Sequence, residues 1–136
     1  EPWQSDTLRR RSGWADRVLV DAPCSGLGTL RRQPDLKWRI TPESLERTRQ
    51  VQAGLLDRYR HLLKPGGKLV YATCSVFKAE GEDQMRRFVK DHADAVLQPS
   101  LGHLLPGASA PGGEFNDNPP GGYDGFFYAR LDKISA

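Results

Sequence analysis

Two cysteines, Cys24 and Cys74, and one aspartate, Asp21, are the residues of this chain whose types and placement point most directly to chemistry. A thiolate is intrinsically nucleophilic, and a few per cent of an ordinary thiol, with a pKa of about 8.5, is ionised near neutral pH. A carboxylate at the same site can hydrogen-bond a substrate edge or stabilise charge developing on it. Taken singly, each cysteine is more often a small buried core residue than a catalytic one. Thiol redox chemistry has no Cys-x-x-Cys element to support it, and a structural disulfide lacks any sign of secretion. His61, His92 and His103 stand at no metal-ligand spacing with the cysteines, so no metal is expected.

The elements around these residues explain why they meet. Arg17-Val18-Leu19-Val20-Asp21 is apolar without alternation, which predicts a strand covered on both faces and broken by Ala22-Pro23-Cys24-Ser25-Gly26. Thr41-Pro42-Glu43 carries a hydroxyl N-cap, a proline at the first helical position and an acid at the positive end of the dipole. Leu45, Gln52, Leu55, Tyr59 and Leu62 or Leu63 follow at helical spacing, and Lys64-Pro65-Gly66-Gly67 closes the run. Lys68-Leu69-Val70-Tyr71-Ala72-Thr73 is a second unalternated strand. Strand, helix and strand make a βαβ unit with parallel strands and a right-handed crossover. Ligands bind outside the carboxyl ends of such strands. Asp21 ends the first, Cys24 lies just beyond it, and Cys74 ends the second, so all three are expected at one crevice. Further on, a helix is expected over about Glu82 to His92, a short strand at Ala95-Val96-Leu97, a long Gly/Pro-rich loop from Leu105 to Gly122, and a final strand at Phe126–Leu131.

Composition bounds the functional class. The chain has 136 residues, 38% of them hydrophobic, with Lys+Arg 20 against Asp+Glu 17 and a net charge of +3. That is one domain's worth of ordinary globular sequence, not a disordered tail. No run of about eighteen apolar residues is present, so no membrane span is expected. The N-terminal Glu1-Pro2-Trp3-Gln4 lacks signal-peptide order, which suggests a cytoplasmic protein. The cations cluster at Arg9-Arg10-Arg11 and from Arg31-Arg32 to Lys37 and Arg39, either as a solvated face or as a phosphate-contacting rim.

The motif Asp21-Ala22-Pro23-Cys24-Ser25-Gly26, followed by Ala72-Thr73-Cys74-Ser75, resembles the paired cysteine motifs of the Sun-type RNA cytosine-5 methyltransferases. The likeness continues through Arg31 to Trp38, Leu63 to Gly67, Leu105-Pro106-Gly107 and Asp124 to Ala129. It covers most of the chain from Trp14 to Leu131, and two cysteine motifs in this order are far more specific than either alone. The resemblance implies an α/β fold: part of a Rossmann-like methyltransferase domain, with a mostly parallel sheet and flanking helices. It implies S-adenosylmethionine as cofactor, contacted by Asp21 and Pro23, and RNA, specifically ribosomal RNA, as substrate. In the family the Thr-Cys cysteine, here Cys74, is the nucleophile that adds to cytosine C6, and the Pro-Cys cysteine, here Cys24, assists product release. In DNA cytosine-5 methyltransferases the Pro-Cys residue attacks instead, so a mechanism led by Cys24 stays open. Arg31, Arg32, Lys37 and Trp38 are candidate RNA contacts, with Trp38 equally readable as half-buried against the long helix.

The family's glycine-rich cofactor turn precedes the Asp21 motif and is not found here. Residues 1–15 therefore read as a loop or linker and 16–136 as the carboxyl-terminal part of a catalytic domain, inactive alone and, through an unpaired sheet edge, prone to self-association. Where the family has proline and then Glu-Glu-Asn, this chain has Lys78-Ala79-Glu80-Gly81, and Glu80 and Glu82 read as ordinary acids of a helix N-terminus. Gly26-Leu27-Gly28 lacks the third glycine of a dinucleotide loop, and Asn118-Pro119-Pro120 lies inside the loop without the aromatic residue of its amino-methyltransferase counterpart. A catalytically silent RNA-binding module of the same fold is the competing reading.

Overall fold

The computed structural model describes Leu8, residues 10–105 and residues 124–134. The Leu105 to Gly122 loop, Asn118-Pro119-Pro120 included, falls almost wholly outside them. The main elements are β1 (Ala15–Asp21), a short α1 (Leu36–Arg39), α2 (Pro42–Tyr59), β2 (Leu63–Thr73), α3 (Glu82–Asp91), β3 (Ala95–Leu104) and β4 (Phe126–Lys133).

The expected βαβ unit is present. Helix α2 begins at the Thr41 cap, whose Oγ1 accepts the Ser44 N–H at 3.1 Å while the Ser44 Oγ accepts the Thr41 N–H at 2.9 Å. This reciprocal pair satisfies donors that the first turn otherwise leaves open. After α2, a single turn at Arg60–Leu62 leads straight into β2, which starts earlier than its apolar run because Leu63 already pairs with Ala15 and Lys64-Pro65-Gly66-Gly67, with Gly66 at φ 80°, bulges between that pair and Arg17↔Lys68. Pairing is irregular there and becomes a regular parallel ladder only from Arg17↔Lys68 to Asp21↔Ala72.

The sheet order is β1-β2-β4-β3. The mixed α/β fold is as expected, but the expectation of a mostly parallel sheet is corrected. Only β1 and β2 run parallel; β4 is antiparallel to both β2 and β3. The physical reason is the strand order: β2 and β3, joined through α3, run in the same direction but are not neighbours, and β4 fills the gap between them in the opposite sense. Strand β3 is longer than its apolar triplet, continuing past an irregularity between Gln98 and Gly102.

Helices α2 and α3 pack on one face only. Leu55, Leu56, Met85 and Phe88 meet Val20, Leu69, Tyr71, Phe127 and Leu131 in a single core. Alternate residues point the other way, and Leu19 is 70% exposed. The prediction that β1 is covered on both faces therefore does not hold within the described residues. Arg17, Leu19, Lys68, Val70 and Arg130 line a shallow recess on that open face. No helix among the described residues is long and apolar enough to cross a membrane.

Candidate active site

The carboxyl ends of β1 and β2 carry the three residues singled out from the sequence. Asp21 is the last residue of β1, opposite Ala72, and the ladder extends one step further through the Ala22 N–H to the Ala72 carbonyl at 2.9 Å. Pro23 then breaks the strand and Gly26, at φ 74°, turns the chain into a short helical turn at Leu27–Thr29. These constraints bring the sulfurs of Cys24 and Cys74 to 3.3 Å, both as free thiols and both half-buried. Burial, reinforced by the hydrogen bond and the charge of Cys74, pushes the Cys24 thiol up to about 12.

Gly28 stitches the site together. Its N–H donates to the Cys74 carbonyl at 2.9 Å, and its own carbonyl accepts the Gly125 N–H at 2.7 Å. A Cβ at this position would stand 1.9 Å from the Gly125 oxygen and 2.7 Å from the Cys74 oxygen. The Gly-Leu-Gly segment thus serves close backbone approach between three chain segments, consistent with its failure as a dinucleotide motif.

Beside Cys74, on the open face of the sheet, lies a cavity of about 440 Å³ bordered by Asp21, Arg32, Thr73, Cys74, Phe126 and Tyr128, with Cys24 behind Cys74 rather than in its lining. The rings of Phe126 and Tyr128 are near parallel, 6.0 Å apart, and give it an aromatic wall. The sequence marks both as strand residues within the stretch that carries the family likeness, and not as site residues. Their signal was alternation: on β4, positions 127, 129 and 131 turn into the core, which sends 126 and 128 to the cavity side. Pro23, a candidate cofactor contact, is exposed and gives its carbonyl to the Gln52 side-chain amide at 2.9 Å.

Arg31, Arg32, Lys37 and Trp38 all lie on the exposed segment after the first cysteine loop. Arg32 borders the cavity and donates from Nε to both Asp124 oxygens, at 2.9 and 3.2 Å. This pairing holds the Asp124 carboxyl below the ordinary carboxylate range. The Lys37 ammonium sits 4.8 Å over the Trp38 ring. Trp38 itself is 80% exposed, so the reading that buries it against the long helix is set aside. The sequence around it contains Asp35, Lys37 and Arg39 and offers no apolar partner at helical spacing.

The sequence reading of Glu80 is also corrected. Glu82 does lie in the first turn of α3, but Glu80 is fully buried in the turn before it. Its Oε1 accepts the Ser25 N–H at 2.7 Å and a Gln52 amide N–H at 3.1 Å. Its Oε2 accepts the Ser25 hydroxyl at 2.6 Å and the Ser75 hydroxyl. The Tyr71 hydroxyl donates to the Glu80 carbonyl at 2.8 Å, and Gln84 donates to the Gln52 side-chain oxygen at 3.2 Å. Burial, aided by the charge of Glu80, raises the Tyr71 phenol above its ordinary value. A hint lay in the apolar stripe of α2, where Gln52 is the one polar member of the predicted series.

The comparisons with known proteins fit this arrangement. Over 119 residues the chain is 45% identical to ribosomal RNA small subunit methyltransferase B of Salmonella paratyphi B, covering 87% of this chain and 26% of that relative. The crystal structure of PH0851 superposes with a TM-score of 0.72 at 38% identity, over 90% of this chain and 27% of that one. NSun6 from Pyrococcus horikoshii, solved with SFG, gives a TM-score of 0.67 at 25% identity, over 96% of this chain and 33% of that one. The chain thus spans about a quarter of the length of the curated relative it matches. Sheet, cysteine motifs and sequence profile agree, and by a match over residues 4–132 the chain belongs to the 16S rRNA methyltransferase RsmB/F family.

Proposed function

We propose that this chain is the carboxyl-terminal part, residues 16–136, of the catalytic domain of a cytoplasmic ribosomal RNA cytosine-5 methyltransferase, with Cys74 as the nucleophile. The observation that carries the reading is the pair of free thiols at 3.3 Å beside a cavity that also presents Asp21. Cytosine C5 is too weak a nucleophile to take a methyl group unaided, so a thiolate must first add to C6.

Burial keeps Cys24 protonated, so its S–H can donate to Cys74 Sγ at 3.3 Å and leave Cys74 as the sulfur that attacks. Cys74 Sγ bonds to C6, and the ring electrons move to C5. After methylation the C5 proton leaves to a base, the C5–C6 double bond reforms, and Cys74 departs as thiolate. Cys24 assists this release, the role that the resemblance gives its motif position. Asp21 is within reach of the exocyclic edge of a base in the cavity, and Phe126 and Tyr128 offer it a stacking wall.

S-adenosylmethionine, when bound, supplies the methyl group as a sulfonium electrophile. The open cavity, with a carboxylate at the end of β1, suits a cationic ligand of that kind, and Asp21 is the described residue that would contact it. Pro23, which follows Asp21 by two residues and lies outside the cavity lining, is the second candidate contact. Arg31, Arg32, Lys37 and Trp38 would carry the RNA strand past the cavity. A silent RNA-binding module would account for the exposed Trp38 but has no use for a paired thiol site.

The test uses the full-length protein with cofactor and RNA containing 5-fluorocytidine, which blocks the final proton loss. Mass spectrometry should find a thioether on Cys74. RNA binding without an adduct would support the binding module, and an adduct on Cys24 would invert the assignment of the two sulfurs.

A further inference from the structure

We infer that Glu80 is the positioning residue that sets the approach of the two sulfurs: one buried carboxyl group ties together the residues that directly follow Cys24 and Cys74. The inference rests on the proposed reaction for its consequence, and on the hydrogen bonds alone for its geometry. Glu80 is fully buried, and the four donors around it are the Ser25 N–H, the Ser25 and Ser75 hydroxyls and the Gln52 amide, all neutral. A buried carboxyl group is expensive to desolvate unless its acceptors are satisfied, and here each oxygen receives two donors. Both cysteine loops supply them. Movement of this group shifts Ser25 and Ser75 together, and the sulfurs next to them.

The two oxygens are not equivalent. Oε1 faces donors that cannot reverse, a backbone N–H and an amide N–H, whereas Oε2 faces two hydroxyls that can rotate. Gln52 is itself fixed, donating to the Pro23 carbonyl and receiving from Gln84, so the clamp is braced from α2 and α3. A glutamine at position 80 can keep its oxygen at the Oε1 place and point its amide N–H groups at the serine oxygens. The clamp should survive that exchange and fail with alanine.

The test compares Glu80→Ala, Glu80→Gln and Ser75→Ala in the full-length protein, with folding verified by circular dichroism. The first readout is the rate at which diamide oxidises Cys24 and Cys74 to a disulfide, two thiol hydrogens passing to diamide as the S–S bond forms. The second is kcat against KM for RNA. Glu80→Ala should slow disulfide closure at least about tenfold and lower kcat about a hundredfold, the scale set by an ångström of misplacement, with KM within about threefold. Glu80→Gln should recover most of both losses. If Glu80→Ala does not fold, Ser75→Ala, which leaves Glu80 its other three donors, should still slow closure. A wild-type closure rate in the variant that folds overturns the inference, as does a Glu80→Gln protein as impaired as Glu80→Ala, or a loss carried by KM. Absence of any adduct in the wild-type protein would sink the proposed reaction and leave the closure comparison intact.

Discussion

The sulfurs of Cys24 and Cys74 lie 3.3 Å apart although they follow separate strands and are 50 residues apart in sequence. Adjacent parallel strands are held at about 4.8 Å by their ladder, so residues just past the two strand ends meet without any special loop length.

This proximity fixes a pH response. The Cys24 thiol is raised from 9.0 to about 12, first by burial and then by Cys74. The folded protein thus holds the proton more tightly than the unfolded chain. The resulting stabilisation is complete below pH 9 and is lost as pH rises toward about 12. Iodoacetamide labelling read by peptide mapping should show Cys24 flat up to about pH 10 in the native protein and rising near pH 9 when denatured. Cys74→Ala should lower the Cys24 value while leaving it above 9, because burial remains.

Gly28 is the second point of leverage. Its substitution by alanine forces the Cβ onto the Gly125 and Cys74 carbonyl oxygens, both of them backbone, and strains the two hydrogen bonds that Gly28 makes. A loss of about 3 kcal/mol is expected, combining overpacking with weakened bonds. Urea denaturation should register it, and disulfide closure between Cys24 and Cys74 should slow in parallel.

Asp124 reports on the Arg32 pairing. Its carboxyl is held below the usual range, so the protonation difference between folded and unfolded chains opens only in acid. The sign is the reverse of that for Cys24: the contribution is present above the unfolded pKa and is lost as pH falls through the folded one. A carboxyl-carbon NMR titration should place Asp124 below an ordinary aspartate, and Arg32→Ala should return it upward.

Trp38 separates binding from folding. An exposed ring contributes little to the core, so Trp38→Ala should leave the melting temperature within about 1 °C, as surface substitutions do. If a base stacks on it, RNA affinity should fall by about 1–3 kcal/mol, roughly 5- to 150-fold. Fluorescence anisotropy with a short single strand measures this directly; unchanged affinity would remove Trp38 from the RNA path.

What was legible in the sequence follows from local physics. The cap at Thr41, the apolar runs of β1 and β2, and the Pro-Cys break each specify their element within a few residues, so the meeting of Asp21, Cys24 and Cys74 could be read. Glu80 could not, because its burial depends on Gln52 and Ser25 arriving from distant parts of the chain, and an acid ahead of a helix has an ordinary explanation. The direction of β4 was equally hidden, since an apolar strand reads the same in either sense. Trp38 was legible in part, since the charged Asp35, Lys37 and Arg39 around it favour exposure, while a lone indole gives no sign of what would stack on it.

Among the described residues no strand pairs with the outer edge of β1, which ends the sheet beside the thiols. Backbone N–H and C=O groups are indifferent to whether an incoming strand is joined to them covalently. Beside the thiols, the β1 edge therefore offers a row of backbone groups to which a further strand can pair, from the same chain or from another.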